Sequence, residues 1–103
     1  MRIIIADCEV NYEGRGSTYL KRDIRMIMMK ADGSVMIHQD YGIKPMNYMS
    51  CSTHHIEKTQ TIVDNTDNQI WRFESKKEYI EISIYKIYSD SKYMLGDPTM
   101  KLE

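Results

Sequence analysis

The sequence lacks the long hydrophobic runs and the sets of cysteines that mark two large classes of protein. Its first apolar run, Ile3–Ala6, is far shorter than the roughly 20 residues of a membrane-spanning helix, and no small-residue cleavage site follows it. Its two cysteines, Cys8 and Cys51, can form one bridge at most, whereas small secreted scaffolds carry several. We therefore expect a cytoplasmic chain with two free thiols.

An excess of either charge is also missing. The chain has 14 Lys and Arg residues and 15 Asp and Glu residues, so its net charge at pH 7 is −1. Domains that coat nucleic acid by charge alone usually have a strong basic excess, and this chain is not expected to be one of them. Basic residues do cluster locally, at Arg15, Lys21, Arg22 and Arg25.

The length limits what the chain can do by itself. A chain of 103 residues has room for one domain and one modest core. Folding buries only about 60–65% of the surface of a chain of this size, so a deep catalytic cleft would take up much of the interior. We expect one domain at residues 1–96, followed at residues 97–103 by a tail or the start of a linker.

Alternating apolar and polar residues indicate β-strands through most of the chain. The apolar positions of the first strand are Ile4, Ala6, Cys8, Val10 and Tyr12. Their period of two is that of a half-buried strand. Gly14 and Gly16 then predict a loop, since glycine allows backbone angles that other residues resist. The continuous apolar run at residues 24–29 predicts a strand buried on most of both faces.

The remaining turns and strands complete an all-β fold. Asp32-Gly33 between two apolar runs predicts a hairpin, and residues 40–52, which have no period, predict a long loop. Further strands are expected at residues 59–63, 69–75 and 80–87. A change of phase near Lys86 predicts a β-bulge. About six strands and no helical period predict an antiparallel half-closed barrel or sandwich, whose free edge favours self-association.

Two groups of residues suggest metal chemistry, and for both we favour a simpler interpretation. Cys51, His54 and His55 are zinc-ligand types, but adjacent histidines rarely point at one ion and no second cysteine pair completes a tetrahedral set. Glu74-Ser75-Lys76 has the spacing found at the end of a metal-dependent nuclease motif, but it leads into a charged turn. We expect solvated surface residues at both places.

Aromatic and cationic residues occur together in another candidate site. Tyr12, Arg15 and Arg25 precede the segment Lys44–Met49. Proteins bind single-stranded or extruded bases by stacking them on aromatic rings, holding phosphates with cations and reading base edges with amides. The alternative is that Tyr12 belongs to the core and Tyr48 anchors a loop, and residue types alone favour that alternative.

Three blocks of the chain resemble one protein family. Residues Ile5–Arg15, Lys30–His38 and Lys44–Ser50 are similar, in order and spacing, to the N-terminal domain of the NucS/EndoMS mismatch-specific endonucleases. The segment Ser89–Pro98 is similar to the part that leads into that family's interdomain linker. The resemblance implies a half-closed β-barrel that forms a homodimer and binds single-stranded, branched or mismatched DNA, with mismatched bases turned out into pockets of this domain.

The resemblance also implies where catalysis lies. In that family a separate C-terminal nuclease domain cuts DNA, and its expected metal is Mg²⁺ or Mn²⁺. We expect this chain to be the DNA-binding part, without that catalytic domain, without a cofactor and not itself an enzyme. The alternative function is that of a protein-interaction module that pairs through an exposed sheet edge.

The resemblance assigns seven residues to DNA binding. They are Tyr12, Arg15, Arg25, Met28, Lys44, Asn47 and Tyr48. The two tyrosines would stack on a base, Asn47 would line the pocket with Met28 as an apolar wall, and the cations would contact phosphate or base. Tyr48 stands where the family usually has tryptophan, and its smaller ring offers less stacking area.

Overall fold

The chain folds into an antiparallel sheet. The computed structural model describes residues 1–50, 54–61 and 67–96, and for residues 54–61 and 67 it describes the backbone only. Within these residues the strands are β1 (Arg2–Glu13), β2 (Ser17–Met29), β3 (Val35–His38), β4 (Asn47–Met49), β5 (His54–Thr61), β6 (Asp67–Glu74) and β7 (Tyr79–Lys92). Their order across the sheet is β4-β3-β2-β1-β7-β6-β5, and every neighbouring pair is antiparallel.

The predicted fold class is confirmed, with one strand more than expected. The all-β sheet curls into a half-barrel. The additional strand is β4, which lies inside the loop predicted at residues 40–52. Its three residues are too few to show a period of two, which is why the sequence pattern does not reveal it. In the described part of the chain, no helix is long and apolar enough to cross a membrane.

One face of the sheet is apolar and encloses the core. The alternation predicted for the first strand is confirmed, because its apolar positions from Ile4 to Val10 are fully buried and Tyr12 packs against the same cluster. The largest buried side chains, Trp71 and Phe73, come from β6. The core therefore lies between β1 in the centre of the sheet and the curled strands on either side of it.

Cys8 is a packing residue of this core. Burial raises the pKa of its thiol to about 11. The thiol is therefore protonated near neutral pH, where a thiolate would be needed for reactivity. Its expected place in the core, as a free thiol, is confirmed. Cys51 lies outside the described residues.

β-bulges bend the long central strands. The pairing of β1 with β7 shifts register twice, on either side of Lys86, which confirms the predicted change of phase. A third shift, in the pairing of β1 with β2, leaves Lys21 and Arg22 without partners in β1. Arg25 lies beside this bulge, where its Nη1 donates hydrogen bonds to the backbone oxygens of Lys21 at 2.7 Å and Cys8 at 3.0 Å. The guanidinium thus stabilises the bend by satisfying a carbonyl of an unpaired residue.

Glycine has two different roles in the turns of this chain. Gly33 has a φ of 90° in the turn between β2 and β3, and the flanking strands pair, so the predicted hairpin is confirmed. The loop predicted at Gly14 and Gly16 is confirmed, since it separates β1 from β2, although among the described glycines positive φ occurs only at Gly33 and Gly42. At Gly14 the requirement is the absence of a side chain, because Tyr12 and Glu78 lie too close to leave room for a Cβ.

The opposite face of the sheet carries a second apolar surface. Cross-strand pairing aligns Ile3, Met28, Met36 and Tyr48 in one row across four strands. The prediction that residues 24–29 are buried on most of both faces is wrong for this surface, where Ile24 is 53% exposed and Met26 and Met28 are only half-buried. We call the surface formed by Ile3, Ile5, Ile24, Met26, Met28 and Met36 the outer apolar face.

Two strands are longer than the sequence pattern indicates. β2 begins at Ser17, before its apolar run, and β7 continues to Lys92, where Arg2 of β1 is its partner. Long-range pairing with β1 extends both strands into polar sequence. The strand expected at residues 59–63 corresponds to β5, and the last two of those residues lie outside the described part.

Candidate nucleic-acid site

An open cavity of about 380 Å³ lies at the end of the sheet where β1 ends and β2 and β7 begin. We call it the base cavity. Its lining residues are Tyr12, Arg15, Thr18, Met46, Asn47, Tyr48, Met49, Ser50 and Glu78. Four of the seven residues assigned from the sequence are among them: Tyr12, Arg15, Asn47 and Tyr48. They come from two segments more than 30 positions apart, which the pairing of β1, β2, β3 and β4 brings together.

Tyr12 forms a fixed wall of the base cavity. It is half-buried, and its hydroxyl donates a hydrogen bond of 2.5 Å to Oε2 of Glu78. This bond to the carboxylate raises the pKa of Tyr12 above its ordinary value, while a backbone hydrogen bond from Arg15 acts in the opposite direction. The phenol therefore stays neutral at physiological pH, and its ring is held in one orientation.

Gly14 allows Tyr12 and Glu78 to occupy these positions. A Cβ at Gly14 would lie 2.5 Å from the Tyr12 hydroxyl oxygen and 2.8 Å from Cβ of Glu78. Real Cβ atoms do not approach other atoms so closely, so any side chain at this position has to displace the phenol or the turn before β7. A Cβ at Gly16, two residues later, would have no atom of the described residues within 4 Å.

Gly14→Ala is therefore expected to destabilise the chain and to disturb Tyr12. Overpacking of this kind costs roughly 1–3 kcal/mol, which a thermal unfolding curve detects easily in a domain of this size. Gly16→Ala is the matched control and should leave the melting temperature unchanged or slightly higher, since alanine restricts the unfolded chain. Equal melting temperatures for the two variants would contradict the close packing at Gly14.

Asn47 is buried in the base cavity with half of its amide unsatisfied. The residue is 6% exposed, and its Oδ1 accepts a hydrogen bond of 3.0 Å from Oγ1 of Thr18. Its Nδ2 is buried and has no hydrogen-bond partner among the described residues. Leaving a buried donor unpaired costs roughly 1–3 kcal/mol. The unpaired Nδ2 therefore destabilises the fold and is not explained by a structural role.

Tyr48 presents its ring to solvent at the rim of the cavity. Side chains alternate along β4, so Asn47 and Met49 are buried while Tyr48 between them is 66% exposed. Tyr48 is therefore accessible, whereas Tyr12 is half-buried and packs against the core cluster, as the alternative interpretation of that residue expects. An exposed aromatic ring beside a buried amide is a suitable surface for a flat, polar-edged ligand.

Three of the assigned residues lie elsewhere. Arg25 is buried at the bulge of β2, with backbone carbonyls as its partners. Met28 lies on the outer apolar face, and Lys44 is exposed in the loop before β4. None of them lines the base cavity, and their roles in binding DNA stay predictions.

Two cavity residues have no signal that sequence reasoning could use. Glu78 lies 66 positions from Tyr12, in a turn whose Lys-Lys-Glu composition is ordinary for a solvated surface. Thr18 follows the loop at residues 14–16 and contacts Asn47 only because β2 and β3 bring β4 alongside it. Both act on the residues that were identified, Glu78 by holding Tyr12 and Thr18 by orienting Asn47.

The possible nuclease motif at Glu74-Ser75-Lys76 lies beside a network of ion pairs. Glu74 forms an ion pair with Arg72, which also pairs with Glu81 at 2.8 Å. In the described part of the chain, no three His, Cys, Asp or Glu residues are placed to hold a metal ion together. The group of zinc-ligand types that we judged a solvated surface lies outside the described residues, since Cys51 is not described and His54 and His55 are described by their backbone only.

Comparison with known proteins identifies related sequences along nearly the whole chain. Residues 1–99 match the family described as the endonuclease NucS N-terminal PH-like domain. Endonuclease NucS of Micrococcus luteus is 40% identical over 104 residues, covering 95% of this chain and 45% of that protein. Endonuclease NucS of Corynebacterium glutamicum is 40% identical over 101 residues, covering 94% and 44%. The chain thus spans about half the length of the curated relatives it matches.

Solved structures share the fold. A structure of an EndoMS–dsDNA complex superposes with a TM-score of 0.74 at 24% identity, covering 99% of this chain and 41% of that chain. A repair endonuclease from Pyrococcus abyssi gives a TM-score of 0.59 at 24% identity, covering 92% and 41%. The sequence matches and this shared fold together place the chain in the NucS endonuclease family, as its N-terminal domain.

Proposed function

We propose that this chain is the DNA-binding and dimerisation part of a NucS endonuclease and that its base cavity holds an unstacked nucleobase. The observation that carries the proposal is the buried Nδ2 of Asn47, a hydrogen-bond donor without a partner in a cavity that Tyr12, Tyr48 and Arg15 also line. A base brings an acceptor for that donor and a flat face for the rings. A nucleobase in the cavity therefore accounts for both the unpaired Nδ2 of Asn47 and the exposed ring of Tyr48.

The geometry divides the recognition among three groups. Asn47 donates from Nδ2 to a carbonyl oxygen or ring nitrogen at the base edge, with its orientation set by Thr18. Tyr48 stacks on the base, an interaction worth roughly 1–3 kcal/mol. Arg15 is exposed at the cavity rim, where it reaches the charged backbone of the strand. Sequence-independent phosphate attraction is a minor part, as expected for a chain with a net charge of −1.

The relatives support a separation between a part that binds DNA and a part that cuts it. They are endonucleases of about twice this length, and one solved structure with this fold is a complex with double-stranded DNA. We assign cutting, and the Mg²⁺ or Mn²⁺ it requires, to the part of the relatives that this chain does not span. The chain alone binds mismatched, branched or single-stranded DNA without cutting it, and it does so in the cytoplasm, where its DNA is.

The outer apolar face supports the proposed homodimer. This surface spans strands β1, β2 and β3, and its residues remain partly exposed, Ile24 to 53%. Contiguous apolar patches on small proteins usually mark an interface. In our proposal a second copy of the chain covers this face at Ile5, Ile24 and Met26, which leaves Tyr48 in the neighbouring row open to a base. The two base cavities then serve the two bases of one mismatch.

Titration of fluorescent mismatched, matched and single-stranded oligonucleotides at two salt concentrations tests the proposed function. We expect tighter binding to mismatched and single-stranded DNA than to matched duplex, two chains for each mismatched duplex, and intact DNA when Mg²⁺ is added. Equal binding to all three, abolished by salt, would indicate attraction by charge alone. No binding at all would favour the protein-interaction module, which would use a free edge of the sheet.

A further inference from the structure

A second cavity adjoins the base cavity at the turn between β6 and β7. Its volume is about 540 Å³, and we call it the turn cavity. Its lining residues are Gly14, Arg15, Ser50, Ser75, Lys76, Lys77 and Glu78. It shares Arg15, Ser50 and Glu78 with the base cavity, so the two form one continuous depression with Arg15 at the boundary.

The turn holds two lysines in a defined place. Ser75 donates a backbone hydrogen bond of 2.9 Å to the carbonyl oxygen of Glu78, and its hydroxyl lies 3.5 Å from the same oxygen. Lys76 and Lys77 occupy the two central positions of this closed turn, and both are exposed. The strands on either side of the turn pair at Glu74 and Tyr79, so the turn places the two lysines next to each other on the cavity wall.

The charge of these lysines is not balanced locally. Neither has an ion pair with any residue whose side chain the structure describes. The nearby carboxylates are engaged elsewhere, Glu74 with Arg72 and Glu78 with the Tyr12 hydroxyl. Arg15, Lys76 and Lys77 thus give the turn cavity three cations and one carboxylate in a chain whose net charge is −1.

We infer that the turn cavity binds a phosphate of the strand whose base occupies the base cavity, with Lys76 and Lys77 as its contacts. The inference rests on the proposed function. An extruded base stays linked to its sugar and phosphates, so an anion site has to lie directly beside the base site. The turn cavity is in that position, and ammonium groups on flexible stems suit a phosphate whose exact orientation varies with sequence. This gives the Lys-Lys-Glu turn a function that its composition alone does not reveal.

The salt dependence of binding tests this inference on the full chain. Each phosphate contact contributes about 0.7 to the slope of log K against log salt for single strands and about 0.9 for duplex DNA. We expect Lys76→Gln/Lys77→Gln to lower the magnitude of the slope for a single-stranded oligonucleotide by roughly 0.7–1.4, corresponding to one or two lost contacts. Lys76→Arg/Lys77→Arg should keep the wild-type slope, because it retains both charges.

A double variant farther along β7 is the matched control. Lys86 and Lys92 are exposed, pair with Asp7 and Arg2 of β1, and line neither cavity. Lys86→Gln/Lys92→Gln makes the same change in net charge and should keep the wild-type slope. A wild-type slope for the Lys76/Lys77 double variant, or an equal loss in the control, would overturn the phosphate site while leaving the base cavity in place. Failure of the wild-type chain to bind DNA would overturn both proposals.

Discussion

Tyr48→Ala is expected to weaken binding to single-stranded and mismatched DNA by roughly 5- to 150-fold while leaving the melting temperature almost unchanged. The loss corresponds to one base–aromatic stack of about 1–3 kcal/mol. The stability of the fold should stay the same, because the ring is 66% exposed and makes no hydrogen bond in the described part of the chain. Fluorescence anisotropy for affinity and thermal unfolding for stability measure the two effects separately.

Tyr41 supplies a matched control for that variant. It is also an exposed tyrosine, at 77%, and it lies in the loop between β3 and β4 but does not line the base cavity. Tyr41→Ala should therefore leave affinity unchanged. Tyr48→Trp should increase affinity, since the larger ring adds stacking area. If Tyr48→Ala binds DNA as the wild type does, Tyr48 is not part of the site.

Local patterns in the sequence predict those parts of the site that belong to regular strands. The period of two places Tyr12 on the inner side of β1, and the structure puts it at the end of the buried row that begins with Ile4. The hairpin at Asp32-Gly33 follows from turn chemistry that acts within four residues. These features depend on neighbours in the sequence, so the sequence alone is sufficient for them.

The rest depends on pairing between distant segments. Asn47 becomes a buried amide only because β4 pairs with β3, and a strand of three residues carries no pattern of its own. The bond from Tyr12 to Glu78 joins residues 66 positions apart. Arg25 depends on such pairing too, since nothing in the apolar run that contains it indicates that its guanidinium satisfies backbone carbonyls at a bulge.

Asn47→Leu is expected to stabilise the fold and to weaken DNA binding at the same time. Leucine removes the unpaired buried Nδ2, whose desolvation costs roughly 1–3 kcal/mol. Thr18 loses its partner, but it is exposed and can bond to water instead. We therefore expect a gain of about 1 kcal/mol in the free energy of unfolding, measured by denaturant titration. Affinity should fall, because a base edge in the cavity then meets an apolar side chain.

The opposite signs of these two changes are what separate a binding residue from a structural one. A buried side chain that only supports the fold lowers stability when it is replaced, and any loss of affinity then follows from unfolding. Asn68 is a suitable control, since it is 7% exposed and does not line the base cavity, and in the described part of the chain the buried side-chain atom without a partner is Nδ2 of Asn47. Asn68→Leu should bring no gain in stability and no specific loss of affinity. A loss of both stability and affinity in Asn47→Leu would show that Asn47 serves the fold rather than the ligand.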